Sequence, residues 1–297
     1  MISELFLPAA GSPLAGLYNP WLVTLSVMVS IFTATLALQM VDLASRGADW
    51  LRVVTIVTGS LALGSGVWAM HFIAMLAFNL CVPVEYDPLL TAISMLPSLA
   101  ASAIALALIS KPQISKAGLL AGGVLVGGGI GAMHYVGMAA MRMAPALSYD
   151  PWFFGLSIIV AVVLAVVALS IRRRFGLLAS GTVMGLAISG MHYTGMAAAR
   201  FWGDPTIQQP GFHPDTYLLA IGVTVITVFV ALLVATVNAL LRYRAMVTEL
   251  TISESRMAAL TATAVDGIIS ISAEGIILHV NATAEALFGW TADEMIG

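Results

Sequence analysis

The sequence predicts an all-α fold: a seven-transmembrane-helix bundle built from three two-helix repeats plus one helix, with a short α/β fragment at the C-terminal end. Three observations predict it. Apolar residues make up 60% of the chain and charged residues 9%, against about 25% charged in a soluble domain. Seven apolar stretches are each long enough to cross a bilayer as a helix of roughly 20 residues. The hexapeptide MHYTGM at 191–196 returns as MHYVGM at 133–138 and, more loosely, as MHFIAM at 70–75.

Taken in order, residues 1–16 form an N-terminal tail that lacks the positive region and cleavage site of a removable signal peptide. Residues 17–241 hold the membrane domain, with spans at about 20–40, 51–78, 89–109, 117–141, 152–171, 175–201 and 217–241. Arg46, Arg52, Lys111, Lys116, Arg172, Arg173, Arg174, Arg242 and Arg244 fall on one side of these spans. Only Arg142 and Arg200 fall on the other, beside Glu85, Asp87, Asp150, Asp204 and Asp215. The positive-inside rule then puts the N-terminus outside and the C-terminus in the cytoplasm. Residues 242–260 are richer in charge and read as a helical linker leaving the bilayer. In 261–297 two β-rich runs flank AEG, a turn, and Asn281 opens a helix.

Spans two, four and six share a stripe. Seven residues before His71, His134 and His192 stand Gly64, Gly127 and Gly185; eleven before stand Ser60, Gly123 and Gly181; four after stand Met75, Met138 and Met196. At about 100° per residue these offsets fall within roughly 40° of one line. Small residues let membrane helices approach closely, so the three histidine helices are expected to pack on one another around a pseudo-threefold axis. A glycine stripe alone means packing, and a lone Met is a gap filler. An intramembrane His is different, because ionisable groups there are costly and mark function.

His at i and Met at i+4 lie one turn apart on one face. Neutral imidazole with soft thioether suits copper, particularly Cu(I), giving a candidate metal site of His71, Met75, His134, Met138, His192 and Met196. No thiolate or carboxylate accompanies them as zinc would favour, and calcium or magnesium would want hard oxygens. Haem is the rival, since His/His and His/Met axial pairs both serve it, but glycines that draw the helices together leave little room for a macrocycle. Met70, Met133 and Met191 could close the site from neighbouring helices, and Met141 and Met143 extend the sulfur supply. Cys81 is a conceivable soft ligand, though a lone buried thiol is more often inert; it also excludes an internal disulfide framework. His213 reads as a surface residue. Tyr135 and Tyr193 follow their histidines, with Phe72 in the third copy; they serve as interfacial anchors or as partners of a bound ligand. No basic patch points to nucleic acid. No catalytic constellation is visible, and the glycines of AGGVLVGGGIGAMH sit in a membrane span rather than after a strand.

The Met-His-Tyr-Thr motif, intact at 191–194 and varied as MHYV at 133–136 and MHFI at 70–73, resembles the MHYT family of bacterial integral membrane sensor domains over roughly 17–245. Phe72, Ile73 and Val136 depart from the pattern. The resemblance implies a seven-helix domain of the bacterial inner membrane that detects O2, CO or NO through bound copper. By motif position the ligand roles carry to His71, His134, His192 and the methionines around them. AVDGIISISAEGIILHVNATAEALFGW resembles the start of a PAS domain, left incomplete at 297. Such a pairing implies a cytoplasmic output domain in cis, for cyclic-di-GMP turnover or a histidine kinase, and none of that catalytic machinery lies in this chain. Two other functions fit the residues: a copper transporter, or a membrane anchor that localises and dimerises an output domain. The oligomeric state expected under the last is a homodimer.

Overall fold

A computed structural model describes residues 6–7, 11–44, 49–80, 82–110, 115–204 and 214–297. Arg46, Cys81, Lys111 and His213 lie outside the described residues. The chain divides into two compact units, Met1–Val237 and Asn238–Gly297.

Seven helices are long and apolar enough to cross a membrane, and we number them as spans 1 to 7: Pro20–Val41, Trp50–Ala77, Pro88–Ile109, Lys116–Ala139, Pro151–Arg172, Arg174–Ala198 and Leu218–Ala262. The expected fold class is the one observed. Spans 1, 3 and 5 open on the same signal, Asn or Asp followed by Pro. Asn19 accepts from the Trp21 amide, Asp87 from Leu90, and Asp150 from Trp152 and Phe153. A side-chain oxygen thus satisfies a free helix-end donor, while proline at the first position has no donor to satisfy. The Leu90 amide, helped by the Arg142 guanidinium that pairs with it, holds the Asp87 carboxyl below the ordinary carboxylate range.

Two departures from simple rods have local causes. Span 3 divides into helices Pro88–Ile93 and Met95–Ile109, because Pro97 has no N–H for the Ile93 carbonyl four residues earlier. The helix that carries spans 5 and 6 is kinked at Gly176, the third residue of span 6, whose φ of 83° and ψ of −178° lie in a region open essentially to glycine alone.

One end of the bundle carries short strands that close each repeat. Leu17–Tyr18 pairs with Phe78–Asn79, Glu85–Tyr86 with Met141–Arg142, and Ala146–Tyr149 with Ala199–Gly203, all antiparallel. Ser12–Leu14 adds to the free edge of the last pair. Beside each pair lies one more backbone bond: Asn19 N–H to Ala77 O at 2.8 Å, Asp87 to Ala140 at 2.9 Å, and Asp150 to Ala198 at 2.8 Å. The lead-in of each repeat's first helix is therefore tied to the exit of its second.

The glycine stripe does not draw spans 2, 4 and 6 onto one another as expected. It receives the intervening helices. A Cβ on Gly64 would lie 2.8 Å from Leu99 Cα of span 3. One on Gly127 would lie 2.6 Å from Val162 Cα of span 5, and one on Gly185 2.6 Å from Ile31 Cα of span 1. Each inner helix thus seats the outer helix of the following repeat, and the third seats that of the first. Span 7 stands more apart: before residue 238, only Val223 and Val234 are fully buried.

In the second unit, strands Ile269–Ile271 and Ile277–Val280 form an antiparallel hairpin turned at Gly275, followed by helices Ala282–Phe288 and Ala292–Met295. Asn281 caps the first of these by accepting from Ala284, and its amide donates to the Thr261 and Asp266 carbonyls.

Candidate metal centre

His71, His134 and His192 each stand six residues before the alanine that closes their repeat, so the threefold closure sets all three at one height. Their rings are 1% exposed and mutually edge-on, with centroids 5.0 to 5.1 Å apart. The Nδ1 atoms converge: His71 to His192 and His71 to His134 at 3.1 Å, His134 to His192 at 3.2 Å. A neutral imidazole has one donor and one acceptor nitrogen. With the ring protons on Nε2, three Nδ1 lone pairs are turned on one point away from water, an arrangement that a cation between them would stabilise. The point equidistant from these nitrogens is about 1.8 Å from each, slightly inside the ~2.0–2.1 Å of a metal–imidazole bond. The donor set fits a single ion bound by three imidazoles.

The outward nitrogens explain the ring orientation. All three Nε2 atoms are buried without a hydrogen-bond partner among the described residues. His71 Nε2 faces Gly137, where a Cβ would sit 2.5 Å away, and His134 Nε2 faces Gly195, where it would sit 2.6 Å away. The corresponding residue of span 2 is Ala74, fully buried. The three inner helices meet here, at the third residue after each histidine.

An aromatic ladder backs each ring. His71 stacks edge-on to Phe72 (4.8 Å) and Phe72 to Tyr86 (5.9 Å); His134 to Tyr135 (4.8 Å) and Tyr135 to Tyr149 (5.3 Å); His192 to Tyr193 (5.0 Å) and Tyr193 to Tyr18 (5.8 Å). Tyr135 shares a hydrogen bond with Ser157 and Tyr193 one with Ser26. In the first repeat Phe72 has no hydroxyl to offer the matching Ser94. Sequence reasoning missed Tyr18, Tyr86 and Tyr149, though a signal was present: Tyr-Asn-Pro at 18–20, then Tyr-Asp-Pro at 86–88 and 149–151.

Met75, Met138 and Met196 lie one turn nearer the strand-bearing end. They are buried in one apolar cluster with Leu80, Tyr149 and Phe201, against which Met141 and Met143 pack. Met70, Met133 and Met191 belong to the main core instead. A cavity of about 380 Å³ reaches Met196 between Leu14, Tyr18, Phe78, Tyr193 and Phe201.

Fold and site define an integral membrane protein whose three helix-pair repeats present a buried histidine triad near one end. The chain belongs to the MHYT family, the bacterial signalling protein N-terminal repeat: the family model matches 64–122, 127–182 and 185–248, and the PAS fold matches 255–297. Among curated proteins it is 38% identical over 239 residues to the bifunctional diguanylate cyclase/cyclic di-GMP phosphodiesterase MucR of Pseudomonas aeruginosa, covering 76% of this chain and 35% of that one. It is 37% identical over 191 residues to the cyclic di-GMP phosphodiesterase NbdA of the same organism, covering 61% and 24%. It is 32% identical over 286 residues to the signaling protein YkoW of Bacillus subtilis, covering 91% and 35%. The chain thus spans about a third or less of the length of these relatives. No solved structure matches.

Proposed function

We propose that this membrane sensor module binds one copper ion through Nδ1 of His71, His134 and His192, with Met75, Met138 and Met196 as a sulfur reserve one turn away. The carrying observation is the convergence of three buried Nδ1 atoms to 3.1–3.2 Å. Copper supplies a centre that takes a diatomic ligand (O2, CO or NO) or changes oxidation state. Uncharged imidazole and thioether donors suit Cu(I), whereas a haem would have to part nitrogens already in contact. By the charge asymmetry of the loops, the strand-bearing end faces the periplasm and the C-terminus the cytoplasm. The signal is the differential affinity of that ligand for two arrangements of the bundle, passed through span 7 to the PAS segment. Beyond it we place an output domain in cis for cyclic-di-GMP turnover, as in MucR and NbdA. A transporter is less well supported: among the described residues the triad is the single group of three or more His, Cys or acidic side chains that converge, with no second site toward the other face.

The test is metal analysis of the purified chain after exposure to Cu(I) and, separately, Zn(II), with infrared spectroscopy of the copper form under CO. We expect copper retention and a CO stretching band, both lost in His134→Ala. Equal copper in the wild type and His134→Ala would remove the site; copper without any ligand band would leave redox state as the signal.

A further inference from the structure

We infer that the C-terminal stretch of the span 7 helix, residues 243–260, is one strand of a parallel two-stranded coiled coil, its partner a second copy of this chain. Within the second unit Tyr243, Met246, Leu250, Ser253, Met257 and Leu260 recur at alternating intervals of three and four, the spacing of a coiled-coil seam. The five apolar members are 67%, 63%, 57%, 64% and 68% exposed. Lipid does not cover them, because Arg242, Arg244, Glu249, Glu254 and Arg256 mark this stretch as running through water. Arg242, Glu249, Glu254 and Arg256 flank the seam, Arg244 lies on the outer side, and none of the five falls on the seam itself. Two other large apolar residues, Val247 and Ile252, are exposed off the seam, at 43% and 48%. A helix with such a stripe in water gains its stability by packing that stripe, not from propensity.

The occupant follows from the membrane. Two copies inserted by the same spans leave the bilayer in one direction and at one height. Their stripes then meet parallel and in register, which no unrelated helix is bound to match. Parallel register also brings Glu249 of one copy beside Glu254 of the other, since these positions flank the seam and face across it. The pair is held apart there by like charge. Just past Leu260, the Asn281 amide donates to the Thr261 carbonyl at 2.8 Å and the Thr283 hydroxyl to the Ala264 carbonyl at 2.7 Å. A change in the twist or separation of the coil therefore acts directly on the start of the PAS segment. This requires no metal.

The test is disulfide mapping of the full chain in native membranes, with Cys81→Ser as background. Single cysteines replace Met246, Leu250, Ser253 and Met257 on the seam, and Thr248 and Ser255 on the far side. Covalent dimers are expected at the four seam positions at ten or more times the yield at Thr248→Cys and Ser255→Cys. Adding Glu254→Lys to Ser253→Cys should raise the yield, and adding Leu250→Asp should lower it. A flat profile, a maximum at 248 or 255, or no dimer at any position overturns the proposal. Seam cross-linking that is indifferent to Glu254→Lys overturns the parallel register.

Discussion

At Gly137 the absence of a single carbon decides where the His71 ring can lie. With its Nε2 against that backbone, Nδ1 is left pointing at the other two histidines, and Gly195 does the same for His134. Letters alone showed that three histidines sit where ionisable groups are expensive, and so they were found. Which nitrogen faces the centre was not legible, because it depends on a contact with the next repeat. The glycines behind the rings stood inside the very hexapeptides that flagged the site, yet their letters carried no sign of a role. The geometry predicts that Gly137→Ala weakens copper binding by about 10- to 100-fold, the range for groups that orient a metal ligand. Alanine is the better helix former by about 1 kcal/mol, so loss of helix propensity cannot be the cause. A Cu(I) competition titration on Gly137→Ala, with Ala74→Gly as the milder change at the matching position, checks this. Equal affinities in the wild type and Gly137→Ala would refute the orienting role.

Among the helices, the same stripe that was legible as a period was misassigned as to partner. Offsets of −11 and −7 from each histidine do mark one face, but Gly64, Gly127 and Gly185 seat spans 3, 5 and 1. A single helix's periodicity states that something approaches closely, not which helix it is. The two ways of framing the repeat follow from this. Strand pairs and backbone bonds close spans 1–2, 3–4 and 5–6, whereas the family matches begin at residues 64, 127 and 185, on the glycines that grip the following helix. Adjacent glycines in span 4 separate contact from composition. A Cβ on Gly127 would meet the Val162 backbone at 2.6 Å, while one on Gly128 would meet nothing within 4 Å. Gly127→Ala should destabilise the bundle by about 1–3 kcal/mol through overpacking against an immovable main chain. Gly128→Ala should be neutral or stabilising by up to about 1 kcal/mol from helix propensity. Thermal unfolding of both variants in one detergent reads the difference, and equal melting temperatures would show that the stripe is no interface.

Over the whole molecule, composition and repeated motifs were enough for seven spans and a histidine cluster, because both are set by the solvent and by local spacing. The strand closures and aromatic ladders were not, since each joins one repeat to another: Tyr18 at the start of the chain backs Tyr193 of the sixth span. That cyclic construction has a consequence for stoichiometry. Three repeats with independent sites would hold three ions, and each His→Ala substitution would remove one third of the metal. Nδ1 atoms only 3.1–3.2 Å apart are too close for three separate cations, whose mutual repulsion in a low-dielectric interior would be severe. Under the proposed reading they serve one ion, to which every repeat contributes one arm. Copper should therefore saturate at one ion per chain, and His71→Ala, His134→Ala and His192→Ala should each abolish nearly all tight binding. The double variants should lose little more, because groups that act as a unit are not additive. Quantitative metal analysis across the series distinguishes the cases, and a stepwise fall by thirds would mean that the repeats bind metal separately.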